Sequence, residues 1–123
     1  MPKILTCLKK RDLLHNPQVS GIELSQYGQE YLSHRRLADA LDFFEKAQDQ
    51  EGIRQVQAGS IEDGNPFLLQ QTGRLLKEKI QKAVWRKVGE KALTDGRLQQ
   101  ALTAFRAIPD ENKIEEIQTL LRS

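Results

Sequence analysis

The sequence has 123 residues, the size of one domain with a single hydrophobic core. Hydrophobic residues make up 38% and charged residues 29%, with a formal net charge of only +2, a composition typical of a helix-rich soluble protein. The single cysteine, Cys7, excludes an internal disulfide framework and fits a reducing compartment. No apolar stretch has the length of a signal peptide core or of a membrane span, so we expect a cytoplasmic protein.

The charges are unevenly distributed along the chain. Residues 39–63 carry seven acidic and two basic side chains, whereas residues 64–97 carry eight basic and three acidic ones. This layout fits two elements that attract one another, within the molecule or between copies. Solvated helix faces are the commoner explanation of such runs.

The first predicted element is a helix over residues 3–15, where leucine and isoleucine recur on roughly one helical face. Pro17 ends it, because the residue before a proline is disfavoured in the α region. Ser20 and Glu23 then form a capping box, in which each side chain satisfies a free backbone donor at a helix start. This pattern predicts a helix over 21–33.

The next helices are predicted over 36–48 and, later in the chain, over 97–108. Their apolar residues fall at i, i+3, i+4 and i+7, which places them on one face. A shorter third helix follows each of them, beginning near Asp49 and after Asp110.

Residues 57–65 contain two glycines and are predicted to form a loop. Asn65 and Pro66 then resemble an N-cap followed by proline at the first helical position. A helical period continues from Pro66 to Leu93, which predicts one long helix or two nearly continuous ones, with Gly73 as the point of a kink or interruption.

One pattern occurs twice, sixty-one residues apart and without a gap. Internal similarity at a fixed offset identifies a supersecondary unit that is repeated in the structure. The matched pairs are Tyr27/Val88, Gly28/Gly89, Tyr31/Ala92, Leu32/Leu93, Arg36/Arg97, Leu37/Leu98, Ala40/Ala101, Leu41/Leu102, Phe44/Phe105, Asp49/Asp110, Ile53/Ile114 and Val56/Ile117.

These residues resemble the tetratricopeptide repeat, a helical hairpin with tryptophan, glycine, tyrosine, alanine and phenylalanine at set intervals. The first copy matches at Gly28, Tyr31, Ala40, Phe44 and Ala47, and the second at Trp85, Gly89, Ala101 and Phe105. The resemblance covers residues 24–56 and 85–117. It departs from the family at Ala92, in place of the second tyrosine, and at Gly52 and Lys113, where the family often has proline. The offset also exceeds the family's period of about 34 residues, so this is not a tandem array.

The sequence therefore predicts an all-α fold of two tetratricopeptide-like hairpins, each followed by a short third helix. They would form a compact α-α superhelix, or alternatively an irregular bundle, with the N-terminal helix. We expect one domain over residues 1–123: the N-terminal helix, a first module over 20–58, the loop 57–65 and a second module with the long helix over 66–122.

No motif points to catalysis, a cofactor or a metal. His15 and His34 lie next to predicted helix ends, and neither has a second ligand at i+3 or i+4. Acidic neighbours such as Asp39 and Asp42 are typical of exposed helix faces. Gly59 and Gly64 have the glycine spacing of a phosphate-binding loop but lack the following Lys-Ser/Thr. We therefore do not expect an enzyme.

Nucleic acid is a less likely partner, although the basic segment 74–91 could neutralise phosphates and Trp85 could stack on bases. Trp85 stands where the repeat pattern requires a packing residue, and the net charge is small. Binding of a protein or peptide is the leading hypothesis.

The resemblance implies a concave binding surface lined by the first helix of each hairpin. The residues at matching positions are Ile22, Ser25, Gln29, Leu32 and Ser33 in the first copy and Ala83, Arg86, Glu90, Leu93 and Thr94 in the second. From these we select Ser25, Gln29, Leu32, Arg86, Glu90 and Leu93 as candidate partner-binding residues. Arg86 is the one cation of the set and is expected to pair with a carboxylate of the partner. The same positions could instead pack against each other or against the N-terminal helix.

The alternative hypothesis is structural self-association into a homo-oligomer. Stacked helical units expose apolar ends unless terminal helices cap them. The N-terminal helix and the apolar stripe from Ile114 to Leu121 are the candidate caps, or could be exchanged between copies.

Overall fold

A computed structural model describes residues 4–123, and within that range the protein forms α-helices and no β-strand. The helices are α1 (Cys7–His15), α2 (Gly21–Ser33), α3 (Leu37–Ala47), α4 (Gln50–Asp63), α5 (Pro66–Leu76), α6 (Lys82–Thr94), α7 (Leu98–Ala107) and α8 (Glu111–Arg122). The predicted all-α class is confirmed. The first residue of the predicted helix 3–15 lies outside the described residues.

Short polar side chains fix the starts of five helices by accepting backbone hydrogen bonds. Ser20 Oγ accepts from the Glu23 N–H at 3.1 Å, which confirms the predicted start of α2. Asn65 Oδ1 accepts from two N–H groups of the first turn of α5, with Pro66 at its first position as predicted. Thr6 caps α1, so this helix begins at residue 7, later than predicted.

The predicted loop over 57–65 is wrong, because α4 continues to Asp63. The third helix of each copy is therefore not short as predicted: α4 has 14 residues and α8 has 12, against 11 in α3 and 10 in α7. Gly59 lies inside α4, and it is Gly64 that ends it, with φ at +67°. Next to it, Asn65 N–H donates to the Ser60 carbonyl at 2.8 Å, which is typical of a helix that ends in a left-handed residue. Two glycines near each other therefore have different roles, and only the second one breaks the helix.

Of the two alternatives predicted for residues 66–93, the structure has two helices, and the single continuous helix is wrong. Helix α5 ends at Leu76, and Lys77 adopts a left-handed conformation with φ at +56°. The Glu78 N–H then donates to the Gly73 carbonyl at 3.0 Å, and the chain becomes helical again at Lys82. The interruption thus follows Leu76 and does not occur at Gly73, which stays helical.

The chain divides into two compact units, the first ending at Val56 and the second beginning at Gln57, inside α4. The first contains α1, α2, α3 and the start of α4. The second contains the end of α4 and helices α5 to α8. The single domain expected over residues 1–123 stays a prediction.

The first unit is built around the α2–α3 hairpin and the ring of Phe44, which is fully buried. A Cβ atom at Gly28 of α2 would lie 2.5 Å from Phe44 Cε1, and one at Gly52 of α4 would also collide with this ring. Two glycines therefore let two helices approach the same aromatic ring. Beside it, the ring of Phe43 stacks on Tyr27 and Tyr31, with centroid separations of 5.6 and 5.3 Å.

The second unit repeats this contact between α6 and α7. A Cβ atom at Gly89 would lie 2.8 Å from Cε2 of Phe105, which is fully buried. One core cluster joins α6, α7 and α8, and its members are Ala92, Ala101, Leu102, Phe105, Ile108 and Ile117. A smaller cluster joins α5, α6 and α7, and its members are Leu69, Val88 and Ala104. Trp85 is partly buried and packs against both clusters, so it has a packing role.

The structure extends the duplication beyond the pattern seen in the sequence. Helices α2 and α6 have bounds that differ by the same sixty-one residues as the sequence repeat. Helix α1 ends at His15 and α5 ends at Leu76, again sixty-one residues apart. Just as α1 packs against α3, α5 packs against α7. The repeated segment therefore contains four helices, α1 to α4 and α5 to α8.

Replacement of Gly28 by alanine should lower the free energy of unfolding by about 2 kcal/mol, as is usual for overpacking a core. The added methyl collides with the ring of Phe44, which is fully buried. Gly21→Ala in the same helix is the matched control, because its Cβ would meet only the Ala47 carbonyl oxygen at 3.6 Å. That variant should be about 0.5 kcal/mol more stable than the wild type. Chemical denaturation measures both, and equal stabilities would contradict the packing described for Phe44.

Candidate functional site

An open groove of about 900 Å³ follows the outer face of α2 in the first unit. Its lining residues are Gly21, Ile22, Ser25, Gln26, Gln29, Glu30, Ser33 and Ala47. Four of these were predicted to line a binding surface: Ile22, Ser25, Gln29 and Ser33. Within the groove Ile22 is 76% exposed, a large apolar side chain left open to solvent.

Helical geometry explains why these side chains share one face. Leu24, Gly28 and Tyr31 are the buried residues of α2 and point to the core. Positions 22, 25, 26, 29, 30 and 33 lie on the opposite side, at spacings of three and four residues. Sequence reasoning missed Gln26 and Glu30, although the i+4 and i+8 spacing from Ile22 places them on this face.

The polar groups of the groove are partly held in place. Gln29 Nε2 donates to Gln55 Oε1 at 2.7 Å, which leaves the Gln29 amide oxygen available to accept a hydrogen bond. Ser33 Oγ donates to the Glu30 carbonyl at 2.7 Å. Glu30 is the one lining residue with a charge, and its Oε1 lies 3.3 Å from His34 Nε2. The groove therefore offers amide and hydroxyl groups, one carboxylate and an apolar side chain.

The other residues predicted to contact a partner differ in their exposure to solvent. Leu32 is half-buried and lies outside the lining of the groove. In the second unit, Arg86 and Glu90 are exposed on α6, as are Ala83 and Thr94. Leu93 is partly buried and packs against the core cluster around Phe105. Its position favours packing over contact with a partner.

The first unit also contains an ionic contact that the sequence did not predict, between α1 and α3. Lys10 Nζ lies 2.7 Å from Asp39 Oδ1 and 2.7 Å from Asp42 Oδ2. The same Nζ is 5.9 Å from the centroid of the Phe43 ring. Nearby, the Leu5 N–H donates to the Tyr31 hydroxyl at 2.9 Å. These contacts attach α1 to the hairpin that presents the groove.

The pKa values of Lys10 and Asp39 are shifted in the directions that these contacts favour. Partial burial by itself lowers the pKa of Lys10, but the hydrogen bonds and charges of Asp39 and Asp42 outweigh it and raise the pKa above its ordinary value. Partial burial likewise raises the pKa of Asp39, and the neighbouring Lys10 and Arg36 outweigh it and lower the pKa below its ordinary value. Both groups are therefore stabilised in their charged forms.

The two histidines have local partners at helix ends. His15 Nδ1 lies 2.7 Å from the Arg11 carbonyl oxygen, and His34 contacts Glu30 as described above. Among residues 4–123, no three side chains of histidine, cysteine, aspartate or glutamate are grouped so that they could hold a metal ion. In the same part of the chain, no helix has both the length and the apolar character needed to cross a bilayer.

Comparisons of this chain with protein-family models, with curated proteins and with solved structures found no match.

Replacement of Lys10 by methionine keeps most of the side-chain volume but removes the charge. We expect α1 to open more readily, by about 1 kcal/mol, because Asp39 and Asp42 lose the cation that joins them to α1, although Asp39 keeps its contact with Arg36. Native-state hydrogen exchange should show faster exchange of the α1 amides while the α2 and α3 amides keep their protection. Lys9→Met is the matched control, since Lys9 is exposed. Equal exchange in the two variants would contradict the role of Lys10.

The contribution of this contact should depend on pH in a defined direction. The folded pKa of Asp39 is below its ordinary value of 3.8, so its contribution is complete above that pH and is lost as the pH falls through the folded pKa. Lys10 has a raised pKa, so its contribution is complete below 10.5 and is lost at higher pH. The difference in α1 opening free energy between wild type and Lys10→Met should therefore vanish in strong acid. A difference that persists there would contradict the ionic origin of the contact.

Proposed function

We propose that this chain is a non-enzymatic adaptor or scaffold module of the tetratricopeptide-like type that binds a protein or peptide in the cytoplasm. The observation that carries the proposal is the groove along α2. It is open, it contains an exposed isoleucine, and it is lined by four residues that the resemblance places on a binding surface. Its one charged lining residue, Glu30, has no second acid in the groove with which to share acid–base catalysis.

The chemistry of the groove indicates what kind of segment would fit. An extended peptide presents backbone N–H and C=O groups, and the side chains of Ser25, Gln26 and Gln29 can accept and donate hydrogen bonds to them. A partner side chain that covers Ile22 would remove apolar surface from water. The lining contains no cation and has the carboxylate of Glu30, so it favours a neutral or basic segment.

The second unit contributes a different chemistry. Arg86 is exposed on α6, and a guanidinium pairs well with a carboxylate in a two-point contact. We propose that Arg86 and Glu90 are the contact residues of this unit. The copies therefore differ in the charge that they present, and this difference would set which partners are accepted.

The experiment compares capture of partners from the native cell by the wild type and by the double variant Gln29→Ala/Arg86→Ala. We expect at least about a tenfold loss of captured partner, the usual effect of truncating central contact residues. Both positions are exposed, so circular dichroism should show unchanged helicity.

The matched control is Gln99→Ala/Arg106→Ala, which removes the same two residue types from exposed positions of α7. Capture by this control should equal that of the wild type. If Gln29→Ala/Arg86→Ala captures the same partners undiminished, the proposed surface is not the binding surface.

A second candidate function, self-association into a homo-oligomer, is favoured by a separate observation. Leu120 and Leu121 at the end of α8 are 47% and 38% exposed, and Leu8 of α1 is 58% exposed. Helical repeat units stack through apolar surfaces of this kind when no terminal helix covers them. This function and peptide binding use different faces and are compatible with each other.

A further inference from the structure

The last turns of α4 belong to the second unit, and they pack on the helices that follow α4 in the chain. Ile61, near the end of α4, packs against the cluster of Leu69, Val88 and Ala104. Ile80 and Val84 pack against the same cluster. Ile61 and Val84 also line one small cavity together with Leu69 and Ile80, so these four side chains lie next to each other.

Arg97 holds the end of this helix in place. Its Nη1 donates to the Gly64 carbonyl at 2.9 Å and its Nη2 donates to the Asp63 carbonyl at 2.7 Å. A guanidinium at the C-terminal carbonyls of a helix satisfies acceptors that have no partner within the helix. The end of α4 is thus held both by apolar packing on helices α5 to α7 and by the hydrogen bonds from Arg97.

The duplication places an equivalent face in the first unit, which we name the receiving face and define as Leu8, Val19 and Glu23. These residues precede Leu69, Ile80 and Val84 by sixty-one positions. Leu69 is fully buried, whereas its counterpart Leu8 is 58% exposed. Leu8 of the receiving face is therefore open to solvent, although the leucine at the equivalent position of the second unit is buried.

The end of α8 has the complementary feature. Residues 118–122 are the counterparts of 57–61, the part of α4 that ends in Ile61. Gly59 and Ser60 are buried, whereas their counterparts Leu120 and Leu121 are exposed. The positions that are covered at the end of α4 are thus open at the end of α8, and there they carry two large apolar side chains.

The charges of the two open surfaces also match. Ile61 and Val84 are two apolar side chains of one packed group, and their counterparts are Arg122 and Glu23. An apolar pair in one copy of the repeat thus corresponds to a pair of opposite charges at the equivalent positions of the other. Within residues 4–123, neither Glu23 nor Arg122 takes part in a salt bridge, and both are exposed. Opposite charges at equivalent contact positions are the substitution expected if the two surfaces meet between molecules.

We propose that the end of α8 of one molecule docks on the receiving face of a second molecule. In this contact Arg122 pairs with Glu23 of the second copy, and Leu121 covers its Leu8. The contact is head-to-tail, because each copy contributes a different surface at each junction. Leu120 and Leu121 are larger than the residues they replace, so α8 lies further from the receiving face than α4 lies from α5. This inference rests on self-association, the second candidate function, and not on peptide binding.

The test uses the full chain and sedimentation velocity over a range of concentrations. Glu23→Arg and Arg122→Glu each bring two charges of the same sign together at the proposed contact. Each should therefore weaken association by about fivefold or more. The double variant Glu23→Arg/Arg122→Glu restores a pair of opposite charges and should associate within about twofold of the wild type. Leu121→Glu, which removes the apolar contact, should weaken association by about tenfold or more.

Two exposed positions supply matched controls for the charge reversals. Arg106→Glu and Glu45→Arg change the net charge by the same amounts outside the proposed contact, and they should leave association unchanged. A wild type that stays monomeric at all concentrations would overturn both self-association and this contact. Association that is insensitive to Leu121→Glu, or that the double variant fails to restore, would leave self-association standing and overturn this contact alone.

Discussion

The structure depends on one contact that occurs twice, a phenylalanine ring packed directly on a glycine of the neighbouring helix. Phe44 lies against Gly28, and Phe105 lies against Gly89, in both cases with a ring that is fully buried. Glycine in a helix interior destabilises the fold by about 1 kcal/mol relative to alanine, so the packing that the close approach allows has to stabilise it by more than that. It does so because the pair of helices can bury the whole ring and the leucines and alanines around it. The groove along α2 and the exposed side chains of α6 are each presented by one of these two hairpins.

Around that shared contact the two copies have diverged. Tyr27, Tyr31 and Phe43 form an aromatic stack in the first unit, and the aliphatic residues Val88, Ala92 and Ala104 replace them in the second. The helix in front of each hairpin is held accordingly. The Tyr31 hydroxyl and the ion pairs of Lys10 hold α1, whereas the buried side chain of Leu69 holds α5. The two copies thus share the hairpin and differ in the residues at its edges, where binding and association would be decided.

Much of the fold could be predicted from the sequence, because local signals specify it. The Ser20 cap, the Asn65-Pro66 start and the apolar residues at i, i+3, i+4 and i+7 each act within a single turn or helix. The loop predicted over 57–65 was wrong because Gly59 and Gly64 look alike in sequence, and only the backbone at Gly64 is left-handed. The break at Lys77 has no residue-type signal, since lysine seldom adopts that conformation.

The candidate site was only partly predictable for a related reason. The resemblance to the tetratricopeptide repeat predicted Ser25 and Gln29 on a binding face of the first helix of the hairpin, and the groove along α2 contains both. Lys10 and its partners Asp39 and Asp42 are separated by 29 and 32 residues, and no local pattern joins positions so far apart. The equivalence of α1 and α5 was likewise hidden, because few of their residues match and only the helix ends and the helices they contact reveal it.

The same glycine–aromatic contact builds both hairpins, and nuclear magnetic resonance tests this contact most directly. A proton on Gly28 or Gly89 that lies against an aromatic ring is shifted from its usual frequency by the ring current. We therefore expect shifted Hα resonances for both glycines, with nuclear Overhauser effects from Gly28 to the ring of Phe44 and from Gly89 to the ring of Phe105. Hα shifts at the values of an exposed helical glycine, without these Overhauser effects, would contradict the account.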